Sequence, residues 1–153
     1  MIAVIDYKVG NVESVCKAFR HIGCPVVLSR SKQHILAADG LVLPGVAAFG
    51  YAMDALGNAA GYIKDAALAG KPLLGICVGY QILFEQGMAF GTHTGLGLVK
   101  GQVIPIPEGR TILHMGWNQV EIPSDMEIFR GLGPARYFYF AHSYYHPSRM
   151  TRP

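Results

Sequence analysis

The stretch Leu73-Leu74-Gly75-Ile76-Cys77-Val78-Gly79-Tyr80-Gln81-Ile82-Leu83-Phe84 constrains the fold of this chain more tightly than any other. An apolar run of β type stops at a cysteine, and apolar residues at helical spacing resume directly after it. Glycines stand two positions before and two positions after Cys77. The pattern predicts a strand-to-helix turn so sharp that a side chain at either glycine would collide with the neighbouring strand or helix. It is the thiol counterpart of the G-x-S-x-G elbow, which holds one reactive side chain out of the fold. A cysteine placed there sits at a helix N-terminus, whose positive end favours thiolate over thiol. Cys77 is therefore a candidate nucleophile. Cys16 and Cys24 have no such bracket and read as packed apolar residues.

Strand and helix signals alternate through the first half of the chain. Residues 2–5 form a short β-type run and residues 6–10 a polar turn. Asn11 is a predicted N-cap, followed by Val12, Val15, Ala18, Phe19 and Ile22 at helical spacing and closed by Gly23. Residues 25–28 and 40–43 read as a second and a third strand, the third ending at Pro44-Gly45. Residues 49–56 and 62–68 read as helices, residues 72–76 as a fourth strand, and residues 78–86 as the helix leaving the elbow. Short apolar strands separated by helices indicate a parallel sheet covered on both faces. Ligands in such sheets gather at the carboxyl ends of the strands. Cys77, Pro44-Gly45 and the 6–10 turn all fall at those ends. After Gly87 the pattern changes: residues 91–101 are glycine-rich, and residues 96–106, 117–122 and 136–141 read as antiparallel strands. With no repeat, low-complexity tract or linker, residues 1–153 are expected to form one domain.

Composition excludes several classes of function. Apolar residues make up 51% of the chain and charged ones 15%, which is a globular balance. The basic residues (Lys8, Lys17, Arg20, Arg30, Lys32, Lys64, Lys71, Lys100) are dispersed until Arg149 and Arg152, so no basic stripe suits a nucleic acid. Apolar stretches fall short of the ~20 residues of a membrane helix. The start, Met1-Ile2-Ala3-Val4-Ile5-Asp6, lacks the basic region of a signal peptide. Three cysteines without C-x-x-C spacing read as free thiols of a reducing compartment, which makes the cytoplasm the expected location. His21, His34 and His93 lack metal-ligand spacing. Gly95-x-Gly97 neither follows a strand nor opens a helix, so no dinucleotide site is predicted. No cofactor or metal is expected.

Several motifs resemble the class I (triad-type) glutamine amidotransferases. They are Ile5-Asp6-Tyr7 with Gly10-Asn11, Leu43-Pro44-Gly45-Val46, Ala48-Phe49-Gly50, and the run from Gly70 through Cys77. Within that superfamily, Gly95-Leu96-Gly97-Leu98, His114-Met115-Gly116-Trp117-Asn118 and Tyr139-Phe140-Ala141-His142-Ser143-Tyr144 are similar to glutaminase subunits of imidazole glycerol phosphate synthases, which serve histidine biosynthesis. The resemblance extends from Met1 to about Tyr145. It implies an α/β, three-layer, flavodoxin-like fold: a mostly parallel sheet with helices on both faces and a small antiparallel extension.

The resemblance also implies a chemistry. Cys77 attacks the side-chain amide of glutamine, giving a γ-glutamyl thioester and ammonia, and water then releases glutamate. The backbone N–H groups of Val78 and Val46 match the oxyanion donors. Gly45, Gln81, His142, Ser143 and Tyr144 match glutamine-binding positions. Asn11, Met115, Trp117 and Asn118 match the face that docks on a (β/α)8-barrel synthase subunit as a heterodimer; that subunit uses the ammonia to make imidazole glycerol phosphate and AICAR. On the bare residues, His142 reads equally as a turn cap, the 137–145 run as a core strand, and Trp117 as half-buried under a loop. Lys8 and Ala47 stand where the family has glycine. If position 47 needs a positive φ, alanine there costs ~1 kcal/mol or more.

A cysteine amidase needs a histidine base oriented by a third group. The family carries these in a His-Pro-Glu segment beyond the His-Ser-Tyr motif. His146-Pro147-Ser148 directly follows that motif and has serine in place of the acid, so it is expected to be a look-alike. The domain is therefore expected to be incomplete at its C-terminus and a weak or inactive glutaminase on its own. Two other readings follow from the same residues: a non-catalytic binding subunit, or another hydrolase with a cysteine elbow on this fold.

Overall fold

The computed structural model describes residues 1–107, 113–123 and 125–147. Ser148, Arg149 and Arg152 of the sequence analysis lie outside them. The chain divides into two compact units, residues 1–104 with 145–153, and residues 105–144.

The first unit is built on four parallel strands, β1 (Ile2–Val4), β2 (Val26–Leu28), β3 (Gly40–Leu43) and β4 (Leu73–Gly75), in the order β2-β1-β3-β4. Ile2 pairs with both Val26 and Gly40, and Leu43 with Gly75. This order places the reversal of winding between β1 and β3, which is where such sheets open a crevice at their carboxyl ends. Right-handed crossovers then put α1 (Val12–His21) on one face of the sheet and α2 (Lys32–Ala37) with its successors α3 (Phe49–Leu56) and α4 (Ala59–Leu68) on the other. On one side Cys16 of α1 packs with Val4 and Val42, joined by Val12, Val15 and Phe19. On the other, α2 packs against α4. Asn11 caps α1 as predicted, its side-chain oxygen accepting the Ser14 N–H at 3.2 Å. Ser31 does the same for α2 through the His34 N–H.

The predicted helix over 78–86 is shorter than its apolar spacing indicates. Only Val78–Gln81 (α5) is helical, and Phe84–Gly87 forms β5. β5 runs parallel to β7 (Val99–Pro105) and antiparallel to β6 (His93–Thr94). Long-range pairing with the strand read over 96–106, which runs parallel to β5 and not antiparallel as expected, has overridden helical periodicity here.

The second unit is dominated by an antiparallel ribbon of β8 (His114–Glu121) and β9 (Ala135–His142), in register from His114 opposite His142 to Glu121 opposite Ala135. Strand alternation gives it two faces. One carries Met115, Trp117, Tyr137 and Tyr139, all more than half exposed. The other carries the half-buried His114, Phe138, Phe140 and His142.

Candidate active site at the elbow

Cys77 has φ 55° and ψ −121°, a conformation that L residues rarely adopt. Holding a non-glycine residue there costs about 1–3 kcal/mol, so the surroundings must impose it. They do so through main chain. A Cβ on Gly75 would stand 2.4 Å from the Cα of Tyr80, and one on Gly79 would stand 1.7 Å from the carbonyl oxygen of Leu43. That carbonyl also accepts the Ile76 N–H at 3.0 Å, tying the end of β3 to the chain as it enters the turn. The Cys77 carbonyl starts α5 by accepting the N–H groups of Tyr80 and Gln81. The outcome is an exposed thiol beside a buried Val78 and Gly79. Because α5 is a single turn, the dipole aimed at the sulfur is short.

The loop after β3 reaches the same place. Gly45 is buried, and a Cβ there would meet the Val78 side chain at 2.4 Å and the Gly79 nitrogen at 3.2 Å. Val46, the next residue, is 73% exposed. The N–H groups of Val46 and Val78 take no part in the turn, loop and cap hydrogen bonds among the described residues. Two main-chain donors on adjacent segments beside a thiol are the parts an oxyanion site requires.

The loop after β1 completes the rim, and it supplies a residue that the sequence reading gave no role. Tyr7 is buried and its hydroxyl donates to the Pro44 carbonyl, pinning the peptide that leads into Gly45 and Val46. Burial pushes this hydroxyl above the ordinary tyrosine range, and the charge of an ionised Cys77 pushes it the same way. A side-chain contact across 37 positions has no local sequence signal. Next to it, Lys8 has φ 64°, so the lysine occupies a left-handed position of the kind glycine favours. Its ammonium is 2.9 Å from Asp6, and the hydrogen bond from Lys8 holds the Asp6 carboxyl below its usual range. Ala47 is not among the residues with positive φ, so the strain expected of an alanine there is absent.

Gln81 sits on α5, one turn beyond Cys77, and is half-buried. Gly45, Val46, Cys77, Val78 and Gln81 thus gather at the carboxyl end of one sheet. His142, Ser143 and Tyr144 belong to the second unit, as do Met115, Trp117 and Asn118. Met115 and Trp117 share the exposed face of the ribbon, whereas Asn118 pairs with Phe138 on the other face. Asn11 is occupied as a helix cap.

The described histidines near the chain's end have other partners. His146 accepts or donates no contact to the thiol; its ring lies 4.4 Å from that of Phe84, and its Nδ1 donates to the Gln102 carbonyl at 2.9 Å. His114 and His142 bond to each other. Among the described residues, then, no histidine or carboxylate hydrogen-bonds to Cys77, and no cluster of three or more His, Cys, Asp or Glu is placed to hold a metal.

Comparison with known proteins matches this arrangement to one family. Residues 3–151 match the family described as glutamine amidotransferase class-I. The chain is 46% identical over 148 residues to the imidazole glycerol phosphate synthase subunit HisH of Desulfitobacterium hafniense, covering 95% of this chain and 70% of that one. It is 46% identical over 145 residues to HisH of Methanothermobacter thermautotrophicus, covering 95% and 73%. HisH of Aquifex aeolicus is 48% identical over 144 residues, covering 92% and 70%. A solved structure described as a glutamine amidotransferase superposes with a TM-score of 0.71 at 18% identity over 96% of this chain and 74% of the other, which shows the shared fold. With the cysteine elbow, the adjoining Gly45 loop and these relatives in agreement, the chain belongs to the class I glutamine amidotransferase family, alongside the HisH subunits.

Proposed function

We propose that this chain is the glutaminase component of an imidazole glycerol phosphate synthase. The Cys77 thiolate attacks the glutamine side-chain amide, the N–H groups of Val46 and Val78 bind the resulting oxyanion, and ammonia leaves as the γ-glutamyl thioester forms. Water then cleaves the thioester to glutamate. The observation that carries this reading is the left-handed Cys77, exposed at the rim and locked by Gly75 and Gly79. Backbone strain at a reactive side chain is a mark of function, because packing alone gives no reason to keep it. The resemblance assigns substrate contacts to Gly45 and Gln81 and to His142, Ser143 and Tyr144. Met115 and Trp117, exposed on one face of the ribbon, are the docking residues for a (β/α)8-barrel synthase subunit, and the resemblance assigns Asn11 and Asn118 to the same interaction. Ammonia released in bulk water at neutral pH is protonated and loses its nucleophilicity, so delivery to that subunit requires docking. The free thiols suit a cytoplasmic setting.

A second reading is a non-catalytic partner subunit, favoured by the lack of any base on Cys77 among the described residues. One experiment separates the two. Glutamine hydrolysis is measured with the synthase subunit present, for the wild-type chain and for Cys77→Ala. Loss of turnover in the variant supports the glutaminase. Equal rates leave only the scaffold.

A further inference from the structure

The second unit contains a hydrogen-bonded histidine pair that the chemistry at Cys77 does not use. His114 Nδ1 and His142 Nε2 are 2.8 Å apart, and the Nδ1 of His142 is 2.9 Å from the Tyr144 carbonyl oxygen. A carbonyl only accepts, so Nδ1 of His142 carries its proton. In the neutral ring Nε2 is then a bare acceptor, and the proton in the 2.8 Å contact belongs to His114 Nδ1. The direction of the relay is therefore fixed: His114 donates to His142, and His142 donates to the main chain of Tyr144. The ring of His114 is itself held by stacking on Phe140, with centroids 5.1 Å apart and planes 22° apart.

The relay encloses Ser143. The His142 ring spans from one side of this residue to the carbonyl on the other, while the Ser143 carbonyl accepts the Ile106 N–H at 2.9 Å. The Tyr144 carbonyl favours the Nδ1–H tautomer of His142, and a donor at Nε2 favours the same tautomer, so the two contacts reinforce each other. We propose that His114 is a positioning residue for glutamine: by donating to Nε2 of His142 it reinforces the tautomer and ring orientation that tie the Ser143 turn in its binding shape. This rests on the reading above that Ser143 and Tyr144 hold the α-amino and carboxylate end of the substrate. That end is remote from the bond that breaks, so His114 acts on binding in ground and transition states alike and shows itself in KM.

Asparagine places an amide N–H where Nδ1 stands, and glutamine places one nearer Nε2. In the complex with the synthase subunit, His114→Gln is expected to raise KM for glutamine roughly five- to tenfold with kcat within about twofold. His114→Asn is expected to restore KM to within about twofold of wild type. A merely structural role would not distinguish the two amides in this order, and equal KM values for both variants overturn the proposal. A second measurement needs no turnover. The 15N spectrum of the histidine-labelled chain at pH 8 is expected to show His142 protonated at Nδ1 and bare at Nε2. The opposite tautomer overturns the role of His114 even if glutamine is hydrolysed. Absence of hydrolysis in the wild-type complex removes the glutaminase reading instead, and the spectrum still decides the relay.

Discussion

Around Cys77 main chain lies against main chain, whereas the β8–β9 ribbon is paired along its length but covered on neither side to the same degree. Among the described residues, every buried apolar side chain except Ile122 belongs to the first unit. The ribbon instead exposes Trp117 at 68%, Tyr137 at 66%, Met115 at 58% and Tyr139 at 55%. The difference teaches where each function keeps its precision. A nucleophile at an unfavourable φ needs close backbone packing to stay there. A docking face needs large amphipathic side chains left uncovered until the partner arrives. On the proposed function, the elbow gives up folding stability for geometry, and the ribbon keeps apolar surface uncovered for association.

Substitutions at the two places break this contrast if it is wrong. Gly79→Ala forces a methyl group onto the Leu43 carbonyl. It is expected to cost about 3 kcal/mol or more, read as a fall in the urea midpoint. Trp117→Ala is expected to weaken binding to the synthase subunit by about 2 kcal/mol or more in titration calorimetry. Its effect on unfolding is expected to be about 1 kcal/mol or less, since it loses chiefly the edge contact with Tyr139 at 5.6 Å. Equal losses in stability at the two sites would contradict the division. Cys77→Gly removes the nucleophile together with its strain, so it is expected to abolish glutamine turnover while raising the unfolding free energy by about 1 kcal/mol.

The smallest effect is at Lys8→Gly, where release of the left-handed strain, about 1 kcal/mol, is offset by loss of the exposed ion pair to Asp6. Net stability at neutral pH is expected to change little, but its pH dependence changes. The Asp6 carboxyl is depressed in the folded state, with the Lys8 hydrogen bond as the largest cause. Its contribution is therefore present above the unfolded value of about 3.9 and disappears as pH falls through the lower folded value. Thermal melts taken from pH 6 downwards are expected to show a shallower acid loss in the variant than in the wild type.

The parallel strands, the Asn11 cap and the glycine-bracketed elbow were legible in the sequence because each is encoded locally, by apolar runs, a capping residue and fixed spacing. The short helix Lys32–Ala37 was not read, since Ile35 is its only buried residue and gives no periodic stripe. The end of α5 was misplaced because Ile82, Leu83 and Phe84 continue a helical spacing while their main-chain partners lie in residues 96–99. Of the site, Cys77 and the Gly45 loop could be found from residue types. Tyr7 on Pro44 could not, as a side-chain hydrogen bond joins positions 37 apart, and His114 on His142 depends on the register of two strands 28 positions apart, which residue types do not set.

The alternation of β9 assigns its odd positions, Tyr137 and Tyr139, to one side and Phe138, Phe140 and His142 to the other. The two assignments are not separable by small insertions. One extra residue within β8 would rotate the strand's neighbours by half a pleat, turning Trp117 inward and withdrawing His114 from His142 in the same event. Length variation in this domain should consequently be confined to the 122–134 connection, and the ribbon itself should tolerate exchange of side chains far better than a change in their number.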